Sequence, residues 1–270
     1  MQVSASLVLF NNPPAQLQRL LDSIAASSTP IRLVVQDNSP TTALAALFGQ
    51  HDYRHSGANL GFGAAHNRVI AGLRSDVHLI LNPDIEFGAD TVATLIAPLE
   101  DEADIVACSP LVRYPDGSLQ RLNKLLPTPA NLFARRFLPF LAKRLDYDYE
   151  MQWFGYDRRI DLPNASGCFL AVRTAALQQL GGFDERFFMY MEDTDLVRRL
   201  ARLGRVAFIP EAVVVHEFGK ASYRNRKLMW IHIQSAVRYF NKWGWMLDKE
   251  RSRINQRARH AKSLPPKAGC

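Results

Sequence analysis

The chain has 270 residues, of which 47% are hydrophobic and 22% charged, the composition of a soluble globular protein of one large domain or one domain with an extension. No apolar run approaches the roughly 18 residues of a membrane-spanning helix, and the first apolar run lacks the basic flank and cleavage site of a signal peptide, so a cytosolic protein is expected. The net charge of +7 is uneven: Lys220 to Cys270 carries 13 Lys and Arg against Asp248 and Glu250, leaving the preceding 219 residues mildly acidic.

Val3 to Phe10 reads as a strand, and "NNPPAQLQRLLDSIAAS" as a helix with Pro at its start and Leu17, Leu20, Leu21 and Ile24 on one face. "IRLVVQDNS" is a second strand ending in Asp37, Asn38 and Ser39. A short helix through "LAALF", a brief strand near Tyr53 to His55 and a helix from about Gly63 to Leu73 follow. "VHLILNPD" is a strand apolar enough to be buried on both faces, "DTVATLIAPLE" a helix, and "DIVACSPLV" a further strand. This alternation predicts an α/β fold with a mostly parallel central sheet flanked by helices, whose ligands collect beyond the carboxyl ends of the strands.

Those ends carry Asp37 and Asn82-Pro83-Asp84. A carboxylate there can accept a hydrogen bond from a nucleobase N–H or ligate a hard cation; Asp-Asn-Ser and Asn-Pro-Asp are also ordinary turn chemistry. Between them, "NLGFGAAHN" puts Asn59, Gly61 and Gly63 ahead of a helix, where glycines admit a phosphate to free N–H groups or pack helix on strand. The middle, from Tyr114 to Leu162, loses the alternation. Within it, residues 131 to 145 interleave apolar and basic side chains, as an interfacial membrane contact or a packing face would. "ASGCFLAVRTAALQQLGGF" then restores a strand and a short helix ending at Gly181-Gly182. "FFMYMEDTDLVRRL" sets Glu192, Asp193 and Asp195 behind an aromatic and methionine run, which can raise a carboxyl pKa and exclude water. Acids also suit a first helical turn, and Asp195 is spaced to meet Arg198 or Arg199. Cys108, Cys168 and Cys270 show neither a disulfide framework nor a zinc pattern.

In their order, Asp37, "NLGFGAAHN", "LNPD", "ASGCFLAVR", "GGFDERFFMYMEDTDLVRRLARLG" and "PEAVVVHEFGKAS" resemble the family-2 glycosyltransferases of GT-A fold. The nearest likeness is to bacterial rhamnosyltransferase-like members that build cell-surface polysaccharide such as O-antigen, over about Val3 to Phe240. The resemblance implies a donor-binding half at residues 1–112, an acceptor-binding and catalytic half at 113–219, and a basic helical extension at 220–270. It implies that Asp37 reads the pyrimidine of a dTDP- or UDP-sugar, that Asn59, Gly61, Asn82, Asp84, Lys220 and Ser222 bind donor, and that Asp84 and His216 hold Mg²⁺ or Mn²⁺. Asn82 replaces the first acid of the family's Asp-x-Asp motif. Asp193 is implied as the general base of an inverting transfer, with Gly167 and Glu192 on the acceptor side.

The implied donor is dTDP-L-rhamnose and the implied acceptor a saccharide or lipid-linked saccharide. The latter gives the basic tail a purpose at the inner face of the cytoplasmic membrane. Two other expectations stand beside this one: a non-catalytic nucleotide-sugar-binding scaffold, and a nucleic-acid-binding protein using the tail, in which Trp and Tyr accompany the cations.

Overall fold

A computed structural model describes residues 1–132, 146–217 and 226–260. Among the described residues nine strands form one sheet: β1 (Val3–Leu9), β2 (Ile31–Asp37), β3 (Asp52–His55), β4 (Val77–Leu81), β5 (Ile85–Phe87), β6 (Ile105–Arg113), β7 (Ile160–Asp161), β8 (Phe169–Arg173) and β9 (Arg205–His216). Their order is β3-β2-β1-β4-β8-β6-β9-β5, with β7 added beside β9. The block β3-β2-β1-β4 and the pair β6-β9 are parallel, while β8, β5 and β7 run against their neighbours. Helices α1 (Pro14–Ala25), α2 (Phe62–Ile70), α3 (Thr91–Asp101), α4 (Thr174–Leu180) and α5 (Glu192–Leu200) are followed by α6 (Arg226–Trp243) and α7 (Lys249–His260).

The elements expected from periodicity are present within a few residues of their expected ends. Two strands were not legible: β5 is three residues long and follows an Asn-Pro-Asp turn, and β7 is two residues long. The expected boundary at residue 112 falls inside β6, and β8 and β6 lie side by side between β4 and β9. The two halves therefore share one sheet.

Two cores form because the central strands are buried on both faces. On one, Leu7, Leu79, Leu81 and Phe169 pack with Leu17 and Leu20 of α1 and Leu95 of α3; on the other, Ile80, Leu170 and Val172 pack with Val197 of α5 and with Phe154 and Tyr156 from the middle segment. On that second side the strands carry a polar group. The Ser4 Oγ and Ser6 Oγ meet the two ring nitrogens of His78 at 2.7 Å each, and Ser6 Oγ also meets His66 Nδ1 at 2.6 Å.

Burial drives both imidazoles down to about 3, with the neighbouring His78 also acting on His66. In the unfolded chain each titrates near 6.5. Below that pH the unfolded chain binds protons that the folded one does not, so stability is lost progressively from about pH 6.5 towards pH 3. The urea midpoint is expected to fall as pH drops from 7 to 5, with a shallower slope in His78→Asn; a flat midpoint in that window contradicts this.

Residues 226–260 of the basic extension fold back onto the body. Ala236, Tyr239 and Phe240 of α6 form a third core with Phe187 and Met191, and Ala258 of α7 joins the second. The Arg198 guanidinium, 1% exposed, makes two 2.7 Å bonds to the Asp248 carboxylate and a third contact to Glu250, and stacks 4.1 Å above the Trp243 ring.

Candidate active site

The parallel register brings strand ends together. Leu9 pairs with Asp37 and Leu7 with Leu81, so β1, β2 and β4 finish on one edge. Because β8 is antiparallel to β4, with Leu81 opposite Phe169, its entry residues Gly167 and Cys168 arrive at that same edge, where the Asn82 N–H donates to the Cys168 carbonyl at 2.8 Å. The short β5 then pairs Ile85 with His216, and the Glu217 N–H donates to the Asp84 carbonyl. Asn82, Asp84, Gly167 and His216, far apart in the chain, are thereby gathered at one place.

His216 Nε2 lies 3.2 Å from Asp84 Oδ1, and Asn82 Nδ2 lies 3.4 Å from the same nitrogen. His216 Nδ1 is 2.6 Å from Gln120 Oε1, while the Gln120 amide nitrogen donates to the His216 carbonyl at 3.3 Å. The second bond fixes which way the amide points, so Nδ1 carries a proton, and in the neutral imidazole Nε2 turns a lone pair towards Asp84. Asp84 Oδ1 is buried without a hydrogen-bond donor. A nitrogen and an oxygen lone pair facing each other at this distance suit a divalent cation between them. The residues therefore fit the implied metal, and Gln120 supplies the partner that a ligating histidine needs on its far nitrogen. Among the described residues no group of three or more His, Cys, Asp or Glu forms a metal cage, so a cation held here would take its remaining ligands from a bound molecule or water.

The three acids separate in role. Asp195 is fully buried and bonded to Arg199, Lys242 and the Trp243 indole N–H, a structural position. Asp193 is partly exposed; its Oδ1 accepts the Thr194 N–H at 2.7 Å and its Oδ2 the Gly167 N–H at 3.2 Å. A Cβ at Gly167 would lie 3.3 Å from the Asp193 Cβ, so the glycine permits the close approach of that side chain. Burial, reinforced by the Asp193 charge, pushes the Glu192 carboxyl well above the usual range, and its Oε2 is buried without a partner. Glu192 thus favours the neutral acid, able to donate a hydrogen bond. Burial pushes the Cys168 thiol up to about 12; Ser166 opposes this, and Asp84 and Asp193 both lie near enough for their charges to add. The backbone joins the two acidic segments here, since Asp193 accepts the Gly167 N–H and the Asn82 N–H donates to the carbonyl of the next residue, Cys168.

Tyr190 and Met191, immediately ahead of Glu192, both have left-handed backbone (φ 68° and 67°), at a cost of roughly 1–2 kcal/mol each. The C-terminal helix holds them. Met191 packs against α6, the Ser235 hydroxyl donates to the Met189 carbonyl, and Arg238 donates to the Arg186 carbonyl.

Asp37, expected to read the donor base, is wholly buried. Its Oδ2 accepts the Tyr53 hydroxyl at 2.6 Å and its Oδ1 the Ser39 N–H at 2.7 Å, so a base would have to use the remaining lone pairs. Burial and the Asp37 carboxylate raise the Tyr53 pKa, keeping that donor protonated. Asn59 is exposed and accepts the Gly61 N–H. Gly61 has φ +84°, and a Cβ there would stand 2.3 Å from the Phe188 carbonyl oxygen; one at Gly63 would meet the Phe183 Cβ at 2.8 Å. Both glycines are thus required by packing against the loop that leads to Glu192, which accounts for them without a phosphate. Lys220 and Ser222 lie outside the described residues. Sequence reasoning did not single out Gln120 or Tyr53; neither sits in a motif, and only the pairing of strands brings them to the site.

Comparison with known proteins places this geometry. The sequence model of Glycosyl transferase family 2 matches residues 4–181. The chain is 32% identical over 239 residues to the N-acetylglucosaminyl-diphospho-decaprenol L-rhamnosyltransferase of Mycobacterium tuberculosis, covering 79% of this chain and 76% of that one. It is 26% identical over 237 residues to rhamnosyltransferase WbbL of Escherichia coli (strain K12), covering 83% and 87%. Among solved structures it resembles GalNAc-T7 with UDP, GalNAc and Mn²⁺ at a TM-score of 0.61 and 15% identity, over 80% of this chain but only 43% of that one. It also resembles the mannosyltransferase PcManGT from Pyrobaculum calidifontis in complex with GDP-Man and Mn²⁺, at a TM-score of 0.58 and 17% identity, over 100% and 76%. These structural likenesses establish the GT-A fold.

Proposed function

The chain belongs to glycosyl transferase family 2 and is a glycosyltransferase, and from that premise we propose that it moves L-rhamnose from dTDP-L-rhamnose, with inversion, onto a lipid-linked saccharide during cell-surface polysaccharide synthesis. The observation that carries the site assignment is the facing pair Asp84 and His216, oriented by Gln120, with Asp193 bonded to Gly167 beside the Cys168 carbonyl that accepts the Asn82 N–H. Both relatives are rhamnosyltransferases, and the mycobacterial name specifies an N-acetylglucosaminyl-diphospho-decaprenol acceptor; an acceptor of that class is the one proposed here. UDP-sugar remains the second donor class, since Asp37 would meet the same N3–H in uracil and thymine.

Asp84 and His216 would hold a divalent cation, Mn²⁺ or Mg²⁺, which would neutralise the charge developing on the diphosphate leaving group. Asn82, Asn59, Lys220 and Ser222 complete the proposed donor side. Asp193 takes the proton of the acceptor hydroxyl as that oxygen bonds to the anomeric carbon and the bond to diphosphate breaks on the opposite face. Its two backbone N–H partners, from Gly167 and Thr194, fix the carboxylate in place, so little reorganisation accompanies proton transfer. Glu192, favouring its neutral form, donates to an acceptor oxygen.

Isothermal titration with dTDP, UDP, GDP and ADP, each with and without Mn²⁺, tests the donor half of this proposal. Metal-dependent binding of dTDP, with UDP weaker, is expected; binding of none by folded protein would overturn it. In the same titration Asp84→Ala is expected to remove the Mn²⁺ dependence, and Gln120→Leu to weaken Mn²⁺ affinity by about 10–100-fold. Unchanged Mn²⁺ dependence in Asp84→Ala would move the cation elsewhere.

A further inference from the structure

We propose that the turn between α6 and α7 is a membrane-inserting tip and that the outer face of α7 is the basic stripe that holds it on an anionic lipid surface. Trp245, Met246 and Leu247 are consecutive and apolar; Met246 and Leu247 are 79% and 95% exposed, and Trp245, whose ring packs on Phe240, is still 38% exposed. Three such residues in a row are not a scatter of single surface apolars, which needs no explanation.

The turn is also built rather than loose. The Gly244 N–H donates to the Phe240 carbonyl, and Asp248, directly behind the tip, is clamped by Arg198 and accepts the Arg251 N–H. Arg251 is itself buried, and its guanidinium donates to the Trp245 carbonyl at 3.1 Å and the Met246 carbonyl at 3.4 Å. An apolar phase penalises a backbone carbonyl that loses water without gaining a donor. Here two carbonyls of the tip already have a protein donor, so its side chains can leave water without stranding them. The Trp245 indole N–H, bonded to Asn241, sits at the polar edge where tryptophans of interfacial proteins lie.

The charge beside the tip matches an anionic surface. α7 docks through Arg251, Asn255 and Ala258, and the opposite face presents Lys249, Arg253 and Arg257, four residues apart and exposed. Among the described residues none of the three has a carboxylate at ion-pair distance, unlike Lys242 and Arg259, which are bonded to Asp184, Asp195 and Asp148. Cations in a row at one turn of spacing, ending at an apolar tip, fit lipid headgroups above acyl chains. Nucleic acid would use the stripe but gives Met246 and Leu247 nothing to do.

The proposal is independent of which sugar is transferred, because it is read without donor or acceptor. Full-length protein is sedimented with phosphatidylcholine vesicles and with vesicles that include phosphatidylglycerol, at low and high salt, beside the double variant Met246→Ser, Leu247→Ser and the triple variant Lys249→Gln, Arg253→Gln, Arg257→Gln. The changed side chains are exposed, and circular dichroism and the melting midpoint check folding. Wild type is expected to bind the anionic vesicles and release with salt. The double variant is expected to partition about tenfold less, and the triple variant to lose the preference for phosphatidylglycerol. Equal partitioning of wild type and double variant, or none by wild type, overturns the proposal. So does a double variant that turns a wild-type dimer into a monomer, which would make the tip a contact between copies, or salt-dependent DNA binding by wild type in place of vesicle binding.

Discussion

Asp193→Asn is expected to abolish sugar transfer, by at least about 100-fold and up to 10⁴-fold, while metal-dependent nucleotide binding stays within about twofold of wild type. The substitution keeps the size of the side chain and an oxygen able to accept the Thr194 or Gly167 N–H, so the entry to α5 is preserved. What it removes is the second acceptor oxygen and the negative charge that draw the proton from the acceptor hydroxyl. Glu192 does not substitute, since burial and the neighbouring charge favour its neutral form. Turnover near wild type in Asp193→Asn would exclude it as the base. A parallel loss of nucleotide affinity would instead make it part of the donor site.

Asp248→Ala is expected to lower stability by about 3–5 kcal/mol, the cost of leaving one member of a buried ion pair uncompensated. Arg198 and Asp248 are 1% and 3% exposed, and the partly exposed Glu250, shared with Arg202, cannot replace a bidentate partner at 2.7 Å. The loss should appear as a fall in the urea midpoint, and Arg198→Met in the Asp248→Ala background should recover part of it by removing the stranded charge. Because α6 also packs on Phe187 and Met191, the destabilised protein should lose transfer before global unfolding, as the loop delivering Glu192 and Asp193 loosens. A change below 1 kcal/mol would mean that the C-terminal helices are not integral to the fold.

The positions proposed for the site were readable where a single residue carries the chemistry. Asp84, Asp193 and His216 stand at strand or helix ends, where turn and helix-dipole chemistry also favour Asp, and order alone linked them to a family. Partners that depend on register were not legible. Gln120 reaches His216 only because the chain turns back after β6 to run beside the end of β9, and Tyr53 reaches Asp37 through the pairing of β2 with β3. Helical spacing offered Arg198 or Arg199 to Asp195; the structure gives it Arg199, and Arg198 faces Asp248, fifty residues later. The sequence lets Gly61 and Gly63 either admit a phosphate or pack helix on strand, and the neighbours a Cβ would meet are Phe188 and Phe183 of the loop before α5. The basic tail looked separable because charge counts do not record that Lys242, Arg251 and Arg259 bond to the body or to the turn of their own helices.

The most direct measurement incubates the purified protein with Mn²⁺, dTDP-L-rhamnose and an N-acetylglucosaminyl-diphospho-polyprenol acceptor, and follows the acceptor by mass spectrometry and the released nucleotide by chromatography. The expected result is one deoxyhexose added per acceptor, with an equal amount of dTDP released, and neither in Asp193→Asn. Folded wild-type protein that binds dTDP-L-rhamnose in the presence of Mn²⁺, yet adds no sugar to this acceptor or to a saccharide analogue of it, would contradict the assignment as a rhamnosyltransferase.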